Sequence, residues 1–140
     1  MSTKNPLAGH TGQAGEPPGR EKRLFALRGA TQCRNEAEDI TREVATLYEE
    51  LLEKNGLAEE DIVSIFFSLT PDLDALNPAA ALRRSGRAGE TALFVLQEAA
   101  VKDGLERIVR VLIHCYLEAG SVPRHVYRNG AGVLRPDRAG

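Results

Sequence analysis

The feature that most constrains this chain is the run Ile108-Val109-Arg110-Val111-Leu112-Ile113-His114-Cys115-Tyr116. Side chains in a strand alternate between faces, so Val109, Val111, Ile113 and Cys115 make one purely apolar face. Ile108, Arg110, Leu112, His114 and Tyr116 make the other. The pattern predicts a strand over Leu105 to Tyr116. Arg110 interrupts it with apolar neighbours on both sides. An unpaired charge in such a place costs several kcal/mol, so a carboxylate of the protein or an anionic, hydrogen-bond-accepting ligand should meet the guanidinium. Glu98, directly after the apolar stretch Ala92 to Leu96, is the obvious partner within the chain. Two readings stand: a buried salt bridge between Arg110 and Glu98, or a cleft in which both grip a polar ligand.

The rest of the chain mixes helix and strand. Arg23 to Arg28 reads as a first strand, stopped by Gly29 and presenting Arg28 at its rim. Asn35 with Glu38 makes an N-cap pair; Ile40, Val44, Leu47 and Leu51 follow on one helical face, and Asn55-Gly56 closes the helix. Asp61 to Leu69 is β-branched and aromatic, a buried strand halted at Thr70-Pro71-Asp72, where Pro71 biases Thr70 away from helix. Pro78 to Arg84 is a short helix with Pro in its first turn, ended by Ser85-Gly86. Thr91 to Gln97 is a third strand. His125-Val126-Tyr127 and Ala131 to Leu134 read as extended pieces, with Asn129-Gly130 as a hairpin turn pair between them. The expected class is α/β, in the sense of a mixed sheet with strands outnumbering long helices.

A length of 140 residues allows one domain. The first 22 residues hold seven Gly or Pro and only Met1 and Leu7 as large apolar groups. Residues 1–22 are therefore expected to be a disordered tail, residues 23–137 to fold, and 138–140 to be flexible. The charges, 18 Lys and Arg against 20 Asp and Glu, leave no basic footprint for nucleic acid or an anionic membrane surface. No stretch approaches the roughly 18 consecutive apolar residues of a membrane span. Cys33 and Cys115 are too few for a disulfide framework, and no Cys/His spacing suggests zinc. A reduced, cytoplasmic setting fits. A Gly-rich phosphate loop, HExxH and GxSxG are all missing, so neither cofactor, metal nor covalent intermediate has a visible foothold.

Fourteen of the 18 cations are Arg. Arg matches carboxylates bidentately, so Arg28 and Arg135, with Arg83 and Arg84 behind them, would let more than one carboxylate be bound. Tyr127 reads equally as a core residue or a hydroxyl donor. His125 has no Asp or Ser arrangement around it, and His114 reads as a packed strand residue rather than a base.

In this order the ordered segments resemble a known family. Leu27-Arg28-Gly29-Ala30-Thr31, Ser68-Leu69-Thr70-Pro71-Asp72-Leu73, Gln97-Glu98, Gly104-Leu105 leading to Ile108-Val109-Arg110-Val111, Arg124-His125-Val126-Tyr127 and Val133-Leu134-Arg135-Pro136-Asp137 resemble the monofunctional AroH-class chorismate mutases across nearly all of residues 23–137. The resemblance implies a homotrimer forming a pseudo-α/β barrel, with clefts at subunit interfaces. It implies conversion of chorismate to prephenate, the branch step toward Phe and Tyr, by a pericyclic rearrangement without acid, base, nucleophile or metal. It implies that Arg110 donates to the ether oxygen, Glu98 accepts from the ring hydroxyl, and Arg28 holds the side-chain carboxylate with help from Tyr127. Arg83, on the short helix after the Pro71 loop, would serve the same cleft, from its own or the neighbouring subunit, Phe94 and Val95 lie in the strand whose backbone lines it, and Leu134-Arg135 would close over it.

Three positions depart from the family pattern: Asn77 replaces a Phe, Ala80 a Lys and Val95 a Cys. The first two leave the ring carboxylate less covered, while a backbone contact at Val95 survives. Gly130 and Gly132 loosen the C-terminal segment, so affinity is expected to suffer more than the chemical step. Two other readings compete. A trimeric imine-hydrolysing enzyme of similar fold would also offer an interfacial Arg, but its C-terminal Arg-to-Glu signature is absent. A non-catalytic small-acid binding module is encouraged only by the three departures.

Overall fold

The Arg110 run lies at the centre of the sheet in the computed structural model, which describes residues 21–134. The expected tail up to residue 20, Arg135 and the C-terminus fall outside these residues. The elements are β1 (Lys22–Gln32), α1 (Ala37–Asn55), β2 (Ile62–Leu69), α2 (Pro78–Arg84), β3 (Ala92–Gln97), β4 (Ile108–Glu118) and β5 (Val126–Arg128). Among the described residues the strands form one sheet in the order β3-β2-β4-β1-β5. β4 is antiparallel to both its neighbours, β1 and β2, whereas β3 runs parallel to β2 and β5 parallel to β1.

The alternation read from β4 holds. Val109, Val111, Ile113, Cys115 and Leu117 are buried, and they share their face with Phe25 and Leu27 of β1 and with Ile65 and Phe67 of β2. That face is covered by α1, through Ile40, Val44, Leu47, Tyr48 and Leu51, and by Ala81 and Leu82 of α2. The other face has no α-helix on it among the described residues; a 3₁₀ turn over Asn129–Leu134 covers only its corner at Ala30 and Ile108. A sheet covered on one side needs this period-two pattern.

Several local expectations fail for reasons that lie outside the local sequence. Gly29 does not stop β1, which continues to Gln32. A Cβ on Gly29 would sit 3.0 Å from Leu51 Cδ1 and 3.0 Å from the Val126 carbonyl oxygen, so this glycine permits close approach of helix and neighbouring strand. Asn35 does not cap α1; the N-cap is Glu36, without a side-chain cap bond. The Asn35 amide instead ties down the loop after β2, donating to Asp74 Oδ1 and accepting from the N–H groups of Asp74 and Ala75. At the other end Gly56 adopts the expected left-handed conformation, φ 58°. The expected hairpin at Asn129-Gly130 is a 3₁₀ turn over Asn129–Leu134. Instead of folding back along the free edge of β5, the chain turns in over the sheet, where Ala131 is buried against Ala30 and Ile108.

Candidate active site

The uncovered face of the sheet carries the residues singled out by charge. Arg110 lies opposite Ala30 of β1 and Ser68 of β2, and Arg28 lies opposite Leu112, two residues along the same face of β4. β3, at the sheet edge, ends where Glu98 donates its backbone N–H to the Leu69 carbonyl, 2.8 Å. This bond turns the Glu98 side chain back over the end of β2, where Oε2 accepts from Arg110 Nε at 2.9 Å and Oε1 from Ser68 Oγ at 3.2 Å.

The salt bridge is therefore present, but it is not buried: the Arg110 side chain is 47% exposed and that of Glu98 22%. The expectation of a buried guanidinium fails because the helices cover the odd face of β4, and on the even face only Ile108, at its end, is buried. The two sequence readings are not exclusive either, since the paired side chains also line open space. One hollow, about 330 Å³, lies between β1, β2 and β4 and is lined by Arg28, Tyr127, Phe66, Leu96, Ser68 and Arg110. A second, about 620 Å³, lies past the end of β3 and is lined by Glu98, Arg110, Thr70, Val133 and Leu134, among others. Arg110 belongs to both. Its Nε is engaged by Glu98, and among the described residues neither Nη group makes a hydrogen bond, leaving a planar set of donors directed at whatever enters.

Arg28 reaches this site from the middle of β1, not from its rim. Its backbone N–H donates to His125 Nδ1 at 3.0 Å, a bond that ties the start of β5 to β1. Tyr127, two residues further on, is half-buried against Ala30, Ile108 and Ala131 while lining the first hollow, so it is both core and site. His114 accepts or donates at Ser64 Oγ, 3.3 Å, and meets the Phe66 ring edge-on, as a packed strand residue would.

Arg83 is not brought to either hollow in this chain. Its guanidinium donates to the carbonyls of Ala88, Gly89 and Thr91, which secures the loop between α2 and β3. Phe94 and Val95 do not line the hollows either. Phe94 is 56% exposed and packs edge-to-face on Phe66, whereas Val95 turns toward the helix-covered core. Ser68, Phe66 and Leu96 were not singled out individually by sequence. Their signal was the alternation of β2, in which Ser64, Phe66 and Ser68 share the face of Arg110. Among the described residues no group of three or more His, Cys, Asp or Glu side chains is placed to hold a metal ion, and no helix is long and apolar enough to cross a membrane. Both cysteines are free and buried, and burial pushes each thiol up to about 11.

Two arginines, an acceptor carboxylate and a tyrosine around adjoining hollows have the donors and acceptor that a small, oxygen-rich acid would need. Comparison with known proteins is specific about which. The profile of the chorismate mutase type I family matches residues 24–138. The chain is 35% identical over 116 residues to the chorismate mutase AroH of Bacillus subtilis, covering 81% of this chain and 91% of that protein. It is 32% identical over 114 residues to the AroH of Thermus thermophilus, covering 79% and 93%. A solved chorismate mutase from Clostridium thermocellum is 44% identical, with a TM-score of 0.72 over 79% of this chain and 99% of that one. The chain belongs to the chorismate mutase type I family. These matches favour the mutase over the imine-hydrolysing and binding-module readings.

Proposed function

We propose that this chorismate mutase converts chorismate to prephenate at Arg110, with Arg28, Glu98 and Tyr127 holding the substrate. In the rearrangement the ether C–O bond breaks as a C–C bond forms from the enolpyruvyl arm to the ring, and no atom leaves or joins. Negative charge grows on the ether oxygen, and an Arg110 Nη group placed there beforehand stabilises it without reorganisation. Glu98 keeps lone pairs beyond those used by Ser68 and Arg110 and accepts from the ring hydroxyl. Arg28 and Tyr127 fix the side-chain carboxylate and so hold the arm over the ring. Leu134, followed by Arg135, closes the second hollow. The observation that carries this reading is the half-exposed Arg110, held at Nε by Glu98 and lining both hollows, with no hydrogen bond to either Nη group among the described residues.

The proposed assembly is a homotrimer, a pseudo-α/β barrel whose sites lie between subunits. Its support is the uncovered sheet face, where Leu24, Phe66, Phe94, Leu96 and Tyr116 are 37–56% exposed around the site. Contiguous apolar exposure of this kind marks a surface that is covered in the working protein. In that assembly Arg83 and the backbone of Phe94 and Val95 serve a neighbour's cleft. Residues 23–137 form the proposed catalytic domain, working in the cytoplasm, in keeping with its two free thiols. A continuous absorbance assay with purified protein and chorismate tests the reaction, and a native mass measurement tests the trimer. Consumption of chorismate no faster than the uncatalysed rate would sink the proposal, and a monomeric mass with full activity would remove the interfacial sites.

A further inference from the structure

We propose that Ser68 is a positioning residue for the reaction, setting which way the Glu98 carboxylate points; this rests on the site reading above. Ser68 sits in β2 between Leu96 of β3 and Arg110 of β4, on the uncovered face, and its hydroxyl donates to Glu98 Oε1 at 3.2 Å. Arg110 Nε takes the other oxygen at 2.9 Å. Each carboxylate oxygen is thus held by a different strand, and the plane of the group is fixed.

Without the Ser68 hydroxyl nothing else among the described residues holds Oε1. The carboxylate would then be free to rotate and accept from Arg110 with both oxygens, since a guanidinium fork meets a carboxylate best in pairs. That rotation would take an Nη donor away from the ligand and withdraw the Glu98 acceptor at the same time. Ser68 therefore keeps the ion pair single-bonded, which leaves both partners with capacity for substrate. A short side chain suits the role, because it reaches across one strand spacing and is half-buried beside the first hollow.

The test is steady-state kinetics on Ser68→Ala, Ser68→Thr, Glu98→Ala, Arg110→Ala and the double variant Ser68→Ala/Glu98→Ala, with thermal melting of each. Ser68→Ala should lower kcat about tenfold with a smaller change in KM and an unchanged melting temperature. Ser68→Thr, which retains the hydroxyl and suits a strand, should restore most of the rate. In the Glu98→Ala background the second change should have no further effect. An alanine variant within twofold of the parent, or one that costs the same factor with and without Glu98, overturns the role of Ser68. If Glu98→Ala and Arg110→Ala also leave kcat intact, the site reading itself fails, which separates the two.

Discussion

Two arginine–carboxylate clusters sit on opposite faces of the same sheet, and they are built differently. On the helix-covered side, Arg128 donates through Nε and Nη2 to Glu43 and through Nη1 to Glu50. Glu43 Oε1 also accepts from Thr31 Oγ1 and Asn129 Nδ2. Every nitrogen of that guanidinium is used, and its side chain is 24% exposed. On the open side Arg110 offers one nitrogen to one oxygen and stays 47% exposed. A saturated cluster fixes the chain; here it ties α1 to the stretch running from Tyr127 into the Asn129–Leu134 turn. An unsaturated one keeps donors for a ligand. The excess of Arg in the composition therefore has two physical meanings in this molecule.

Substitutions should separate those meanings. On the open face, Arg28→Ala should raise KM about a hundredfold, as loss of a charged pair to a substrate carboxylate would, with little change in a urea melt. Arg128→Ala should do the reverse, destabilising the fold by about 2–4 kcal/mol because Glu43 is left short of partners in a partly buried place, while kcat of the folded protein stays within about threefold. Urea titration beside kinetics checks both, and an Arg28 variant that mainly unfolds would erase the distinction. Gly29→Ala probes the close approach under the same region. The added Cβ meets Leu51 and the Val126 carbonyl at 3.0 Å, which should cost about 1–3 kcal/mol, measurable in the same melt.

The smallest expected effect is that of pH. No group must gain or lose a proton in the rearrangement, so kcat should be flat between about pH 6 and 9, and a bell-shaped profile would contradict the scheme. Stability should change at the alkaline end. Cys33 and Cys115, buried on the helix-covered side, titrate near 11 rather than their ordinary 9.0, and burial together with the bond to Glu59 raises Tyr48 as well. The folded chain holds these protons more tightly than the unfolded one. That contribution is complete below about pH 9 and is lost as pH rises toward 11, so denaturation midpoints should fall across that window.

The same comparison explains what could be read from the residues alone. Arg110 was legible because one charge broke an otherwise apolar alternation, and Glu98 because it followed the next apolar stretch. Arg128 gave no such signal: its partners lie 85 and 78 positions away, at helix positions that look like an ordinary solvated face. Gly29 and Asn129-Gly130 carry the local chemistry of a stop and a turn, and only the neighbours α1 and β5 decide otherwise. For Arg83 the sequence showed a cation on a short helix but not the three carbonyls that occupy it. The family resemblance supplied its link to the cleft, and in the proposed trimer that link runs to a neighbouring subunit.

At the centre of this account stands the action of Arg110 on the transition state. Steady-state kinetics of Arg110→Ala with chorismate measure it directly. Removal of one preorganised donor should lower kcat by about 10²–10³ or more, equivalent to about 2.7–4 kcal/mol, with the loss carried through to kcat/KM. A variant that keeps kcat and changes only KM would show that Arg110 merely binds substrate, and would contradict the account.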